Sequence, residues 1–382
     1  MADGALDGIR VLDVTQVMAG PFCAMLLADL GATVIRVDRK QAVSLGIPRP
    51  LKFNTLLRNR GSIALDLKDP AAVETVLQLV EQADALIEGF RPGVTERLGL
   101  GPEPCLARNP RLAYGRLTGW GQHGPLAKTA GHDINYLALT GILDAIGREG
   151  QPPSIPVNIV GDYAGGSLYL AVGLLAAILE ARQSGRGQVI DAAIVDGAAH
   201  LATTFFGMVA GGIWKSGRGT NLTDSGSHFY DCYECADGGW VAVGPIEEKF
   251  FGELLTRLGI DAASLGPQMS REHWRPAKAV LAAKFKTRSR DEWAALLETS
   301  DACVSPVLAF GEAHRHHHLK ARGTFVEIDG IVQAGPAPRF SRTPPATPTP
   351  PQAVTPDNTD RTLSMWFAAD KIAELRQRGL IG

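Results

Sequence analysis

The stretch "TAGHDINYLALTG" (129–141) sets an imidazole, His132, beside a carboxylate, Asp133, at the head of an apolar run, with Asn135 two residues on. A segment needed only for a core has no use for these three polar side chains, whereas an imidazole in such a place suits a general acid or base. The plainer account is a hydrogen-bonded core histidine. Further along, "NIVGDYAGGSLYLAVGLLAAILEA" (158–181) puts Asp162 just ahead of a long apolar helix. A helix start offers free N–H groups and partial positive charge, which could hold a developing oxyanion while the carboxylate gives or takes a proton beside it. Asp162 as a simple N-cap is the alternative. Glu247, in "VGPIEEKFF", follows a strand pattern and by itself reads as a surface carboxylate.

Arg36, Arg39, Lys40, Arg49, Lys52, Arg58, Arg60 and Lys68 crowd a window holding only Asp38 and Asp66 as acids. Such a window fits a ligand with several phosphates, or a solvated loop. The run "HRHHHL" (314–319) lacks the fixed Cys/His spacing of a metal site, and adjacent imidazoles do not easily converge on one ion, so no metal is expected. "CYEC" (232–235) is a lone CxxC flanking a hairpin and reads as structural.

Alternating elements must position these groups. "IRVLDV" (9–14), "GPFCAMLLADLGA" (20–32) and "TVIRVD" (33–38) form a βαβ pattern. It continues through the helix "AAVETVLQLVEQA" (71–83), the strands "DALIEGF" (84–90) and "RLAYGRLTGW" (111–120), and the strand-then-helix 188–206. This predicts an α/β fold with a Rossmann-like parallel sheet. The first βα turn, "QVMAGPF", lacks the glycine spacing of a dinucleotide fingerprint, so NAD is not expected. A Gly/Ser-rich linker is expected over 201–230. A smaller α+β domain follows over 231–330, opening with a hairpin at Asp237-Gly238 and carrying helices within 271–300. The large domain spans 1–200, with a C-terminal return over 331–382. That return begins with an extended strap, 335–356, which holds eight of the 24 prolines and so cannot be a ladder strand, and it ends in a short helix.

A net charge of -2 argues against a general nucleic-acid or membrane-surface binder. Five cysteines, odd in number and sparse, suit a reducing compartment. No secretory signal is expected from the N-terminal pattern, nor a peroxisomal or lipidation signal from "GLIG". The apolar run from Ser167 is too short to span a bilayer and reads as a buried helix. A cytoplasmic protein is expected.

Four segments in this order, "AGHDINYLALTGIL" (130–143), "GQVIDAAIVDG" (187–197), "DACVSPVLAF" (301–310) and "APRFSRTP" (337–344), resemble the alpha-methylacyl-CoA racemases of the family III CoA-transferase superfamily. The resemblance implies inversion of the α-carbon of 2-methyl-branched acyl-CoA thioesters, with His132 and Asp162 as the acid/base pair. It further implies Glu247 in support of the histidine, and Asn158 four residues before the aspartate. CoA contacts carry over to Arg39, to Leu65, Asp66, Leu67 and Lys68, to Gly89, Phe90 and Arg91, to Arg97, and to Gly131, Asp133, Ile134, Asn135 and Tyr136. The implied fold is an interlocked homodimer in which the large domain of one chain meets the small domain of the other. The chain departs from the family at "RGTNLTDSGSHFY" (218–230) and "PIEEKF" (245–250), which bears on the acyl-facing surface.

The chemistry explains the residue types. A thioester α-hydrogen is a weak acid, so its removal needs a base in reach and donors where the enolate oxygen forms; inversion needs a proton from the opposite face. Two groups flanking one carbon suffice, with no metal or redox cofactor. The rivals are a CoA-transferase using Asp162 as nucleophile, which has no need of His132, and a non-catalytic acyl-CoA-binding protein, which has no use for His132, Asp162 and Glu247 together.

Overall fold

The computed structural model describes residues 4–17, 19–41 and 46–381, so four residues of the stretch 40–54 (42–45) lie outside it. The chain divides into two units. One comprises residues 1–140, 157–201 and 317–382, the other 141–156 and 202–316.

The first unit runs β1 (Arg10–Asp13), α1 (Ala19–Asp29), β2 (Thr33–Arg39), β3 (Gly61–Leu65), α2 (Pro70–Val80), β4 (Ala85–Glu88), α3 (Val94–Arg97), α4 (Pro102–Arg108), β5 (Ala113–Thr118) and α5 (Asp133–Leu139). After α6 (Ile142–Ala145), which belongs to the second unit, come a π-helical segment (Ile159–Leu168), α7 (Tyr169–Ser184), β6 (Gln188–Ala193) and α8 (Ile194–Leu201). The six strands pair in parallel in the order β3-β2-β1-β4-β5-β6. Alternate residues of each strand feed opposite faces, as the pleat requires. Leu12, Ile35, Leu86 and Tyr114 join one apolar core, and Val11, Val34, Ala85 and Ala113 the other. The chain reverses direction across the sheet between β1 and β4, the place where doubly wound sheets open a crevice at their C-terminal edge.

β3 was not foreseen, because its flanking cations read as ligand contacts. The structure spends them on carboxylates instead. Arg60 pairs with Asp13 at 2.5 Å and Arg58 with Asp29 at 2.5 Å, all four side chains being buried, and Arg36 pairs with Asp38 at 2.6 Å. Much of the basic window is therefore internal ion pairing rather than a phosphate surface.

The apolar helix is also longer than its sequence pattern indicated. The π-helical segment and α7 form one rod of 26 residues (Ile159–Ser184). Among the described residues it is long and apolar enough to cross a membrane by length and composition, with a hydropathy of 1.7. Half of its most apolar stretch is buried inside the chain. Gly165 and Gly166 let the π-helical segment sit directly against α8. A Cβ on Gly197 of α8 would lie 1.8 Å from the Gly165 carbonyl oxygen, so only glycine fits there.

In the second unit α9 (Thr203–Ala210) leads into β7 (Asp231–Glu234) and β8 (Trp240–Val243), paired antiparallel around the Asp237-Gly238 turn as expected. α10 (Glu248–Leu258), α11 (Arg271–Phe285), α12 (Arg290–Leu297), β9 (Val304–Pro306) and α13 (Phe310–Ala313) complete it. The 202–230 stretch is part of this unit rather than a free linker. Arg271 donates to the Thr220 carbonyl at 3.1 Å, and Asn221 and Asp224 bond each other at 3.0 Å. The family departure at 227–229 is likewise interior. Ser227, His228 and Phe229 are fully buried, the His228 ring lying edge-on to Phe229 and Phe251, and burial pushes its imidazole down to about 4. α14 (His317–Ala321), the hairpin β10 (Phe325–Ile328) and β11 (Ile331–Ala334), the strap, α15 (Pro356–Leu363) and α16 (Ala369–Gln377) return to the first unit. In the histidine run, His316 pairs with Glu298.

Gly197→Ala is expected to lower stability by about 1–3 kcal/mol through overpacking against Gly165. Gly207→Ala, whose Cβ would meet nothing within 4 Å, leaves stability unchanged or raises it. Denaturant unfolding of the two variants checks this.

Candidate active site

A cavity of about 580 Å³ opens at the C-terminal edge of the sheet in the first unit. Its walls come from the turn after β1 (Thr15, Gln16), the end of β2 (Arg39), the turn after β4 (Gly89, Phe90, Arg91), the end of β5 (Leu117, Thr118), the loop carrying His132, and Asp162. This is the crevice at the reversal between β1 and β4.

Buried ion pairs hold its rim. Asp13, fixed by Arg60, accepts the Thr15 N–H at 2.8 Å and its hydroxyl at 2.6 Å, which shapes the β1–α1 turn. Glu88 accepts the Phe90 N–H at 2.7 Å through one oxygen and Arg116 Nε at 2.8 Å through the other, so the Gly89–Arg91 turn is tied to β5. A buried carboxylate left without such donors would be costly, so these turns are tightly specified.

His132 is the N-cap residue of α5, in extended conformation, with its side chain exposed and lining the cavity. The Asn135 side chain reaches back to accept the His132 N–H at 3.0 Å, one half of a capping box. Tyr136 donates its hydroxyl to the Gly131 carbonyl and stands edge-on to Trp120, the ring centroids 4.8 Å apart. Burial, then Asp162 and Asp133, push the Tyr136 phenol up to about 12, so it stays protonated as that donor.

Asp162 lies four residues into the helical rod, not at its cap; that place belongs to Asn158. Asn158 Nδ2 donates to the Asp162 carboxylate at 3.4 Å. Burial first, and then the neighbouring Asp133 charge, push the Asp162 carboxyl up to about 6, opposed by Asn158 and His132. A carboxyl poised there exchanges protons readily near neutral pH, the condition for general acid–base work.

Asp133 joins the two halves. Its buried carboxylate accepts the Asp162 N–H at 2.7 Å and also the N–H of Gly161, where any Cβ would strike it. The amides at 161 and 162 are therefore already occupied, and the expectation that the helix start presents them to an oxyanion does not hold at those two positions.

Of the expected CoA contacts, Arg39, Gly89, Phe90, Arg91, Gly131 and Tyr136 line the cavity. Leu65 is fully buried in the core, and the Asp133 carboxylate is turned to the rod, so neither side chain faces it. Asp66, Leu67, Lys68, Arg97, Ile134 and Asn135 are not among the residues lining this cavity; Asp66 accepts the Lys68 N–H in the turn after β3. Glu247 belongs to the second unit, where it is the exposed N-cap residue of α10 and its charge helps to raise the Cys303 thiol, after burial. Thr15, Gln16, Thr118 and Trp120 were missed as wall residues. The turn "QVMAGPF" has no glycine spacing to mark it, and Trp120 carries no polar pattern.

Alpha-methylacyl-CoA racemase of Mus musculus is 44% identical over 341 residues, covering 89% of this chain and 87% of its own length; that of Homo sapiens is 42% identical over the same coverage. The succinyl-CoA–L-malate CoA-transferase alpha subunit of Chloroflexus aurantiacus is 31% identical, with 89% of this chain and 83% of that one covered. Among solved structures, a CaiB/BaiF family protein from Brucella suis superposes with a TM-score of 0.79 at 26% identity, covering 95% of this chain and 98% of that chain. Rv3272 from Mycobacterium tuberculosis gives 0.76 at 27%, with 92% and 96% covered. Residues 6–358 match CoA-transferase family III throughout. With its sequence, its parallel six-stranded sheet and its cavity in agreement, the chain belongs to CoA-transferase family III.

Proposed function

We propose that this enzyme is an isomerase that racemises the α-carbon of 2-methyl-branched acyl-CoA thioesters by proton transfer between His132 and Asp162. The observation that carries the reading is that an imidazole and a carboxyl group raised to about 6 line one cavity. The racemase names of two relatives above 40% identity point the same way.

One of the two groups takes the α-hydrogen as a proton, and the C–H electron pair moves into the thioester carbonyl to give an enolate. The other group then delivers a proton to the opposite face of the same carbon, and the electrons return from oxygen. After one pass the first group holds a proton and the second has lost one, so turnover in the reverse direction, or exchange with water, resets the pair. The proton balance closes on these two residues, and the reading assigns no metal or redox cofactor. Arg39 and the Gly89–Arg91 turn are assigned to the CoA portion, Asn158 to orienting Asp162, and Glu247, through family likeness, to supporting an imidazole.

The same reading assigns a homodimer. The rod of the π-helical segment and α7 leaves Leu168, Val172 and Leu179 exposed on one stripe, an apolar face that water alone covers poorly. It also assigns the cytoplasm, in keeping with five free thiols, three of them buried. The rival within the family, CoA transfer through Asp162 as nucleophile, keeps a foothold because transferases stand among the relatives.

Racemisation of a 2-methylacyl-CoA is expected to fall roughly 10²–10⁴-fold in His132→Ala and in Asp162→Ala while CoA binding persists. Loss of binding instead assigns those residues to positioning, and CoA transfer between two acids without racemisation favours the rival. Activity in the wild type should decline as the pH drops through about 6, where Asp162 protonates. Asp133→Asn removes a charge that raises Asp162, so a pH–rate profile should show this limb moved to lower pH. Arg39→Ala should raise KM more than it lowers kcat, because a phosphate grip acts equally on ground and transition states; an unchanged KM argues against that assignment.

A further inference from the structure

The loop Gly46–Phe53, beside the cavity mouth, carries a surface the chemistry above does not use. Ile47 is 74% exposed, Phe53 53% and Leu51 37%, with the exposed Pro48 and Pro50 between them. Four exposed cations lie in or just before it: Arg39, Lys40, Arg49 and Lys52. Arg36, Arg58 and Arg60 are held by carboxylates, whereas these four are exposed; Lys52 meets the exposed Asp329 at 3.7 Å, and Lys40 reaches the Gly379 carbonyl at 3.1 Å. The patch adjoins the cavity. A Cβ on Gly46 would lie 3.7 Å from Val17, itself 42% exposed, and both Val17 and Arg39 line the cavity wall.

We propose that this loop docks on an anionic lipid surface, with Ile47, Leu51 and Phe53 entering the headgroup boundary and Arg49 and Lys52 meeting acidic headgroups. Apolar side chains of this size standing free in water beside clustered cations are the two elements of interfacial binding: buried apolar area and attraction to negative lipid. The whole-chain charge of -2 hides the feature, because it averages a local basic patch against acids elsewhere. Docking here sets the cavity mouth toward the bilayer, the phase in which an amphiphile with a long acyl chain collects. The docking itself does not depend on the reaction proposed above.

The test is co-sedimentation of the full chain with vesicles of phosphatidylcholine alone and with vesicles of equal parts phosphatidylcholine and phosphatidylserine. The wild type should pellet with the mixed vesicles and much less with the neutral ones. Each cation near such a surface contributes roughly five-fold to partitioning, so Arg49→Glu should reduce binding to the mixed vesicles by about ten-fold or more. Ile47→Ser combined with Phe53→Ser should reduce it comparably. All three positions are exposed, so the unfolding transition stays where it was and a lost fold does not confuse the result. Equal pelleting with both vesicle types, or pelleting that ignores these substitutions, overturns the proposal. A shift in oligomeric state in the Ile47→Ser/Phe53→Ser variant without loss of vesicle binding also overturns it and gives the patch to a second copy of the chain.

Discussion

The carboxylate of Asp133 is the tie on which the site depends. Its own chain position fixes it one residue from His132, while its oxygen accepts the Asp162 N–H at 2.7 Å and it also holds the amide of Gly161. The two proposed acid/base groups, 30 residues apart in sequence, are thereby coupled through one buried anion. Hydrogen bonds from backbone amides to an ionised carboxylate are stronger than neutral ones, and leaving them unmade inside the protein is expensive. The same anion is the second cause, after burial, of the raised Asp162 carboxyl. One side chain thus both positions Asp162 and adds to the effect of burial on its proton affinity.

Larger features make that tie possible. A parallel sheet whose order reverses between β1 and β4 leaves a crevice at its C-terminal edge, and the buried Asp13–Arg60 and Glu88–Arg116 pairs set the turns around it. The π-helical start of the long rod presses against α8 so closely that Gly197 and Gly165 admit no side chain between them. Ser167 adds a further anchor, its hydroxyl 2.6 Å from the Ala19 carbonyl and 3.0 Å from that of Asp162. Wider helical turns of this kind are rare and collect at functional sites.

The parallel sheet could be read from the sequence because its strands are buried on both faces and alternate with helical patterns; β1, α1 and β2 fell where the pattern placed them. β3 was hidden by the chemistry of its neighbours, since an arginine looks the same in sequence whether its partner is a phosphate or an internal aspartate. That His132 and Asp162 line one cavity accords with the sequence, where their residue types stand out in apolar surroundings and the family motif lies on them. The role of Asp133 was not, because a hydrogen bond between residues 133 and 162 leaves no local trace; the glycine at 161, where a Cβ would collide with that carboxylate, is the nearest thing to a signal. The discontinuous second unit was equally invisible. Residues 141–156 join it through pairs such as Arg148 with Asp231 and Arg218 with Asp144, contacts set by tertiary structure alone.

The claim that an imidazole and a carboxyl group flank one carbon is tested most directly by following α-hydrogen exchange in deuterated water, starting from each pure enantiomer of a 2-methylacyl-CoA. The variants to compare are His132→Asn and Asp162→Asn, each of which leaves a base on one side only. The account predicts complementary behaviour: one variant exchanges the hydrogen of one enantiomer, the other variant that of its mirror image, and neither inverts the centre. Exchange of the same enantiomer by both variants, or of both enantiomers by either one, would contradict it.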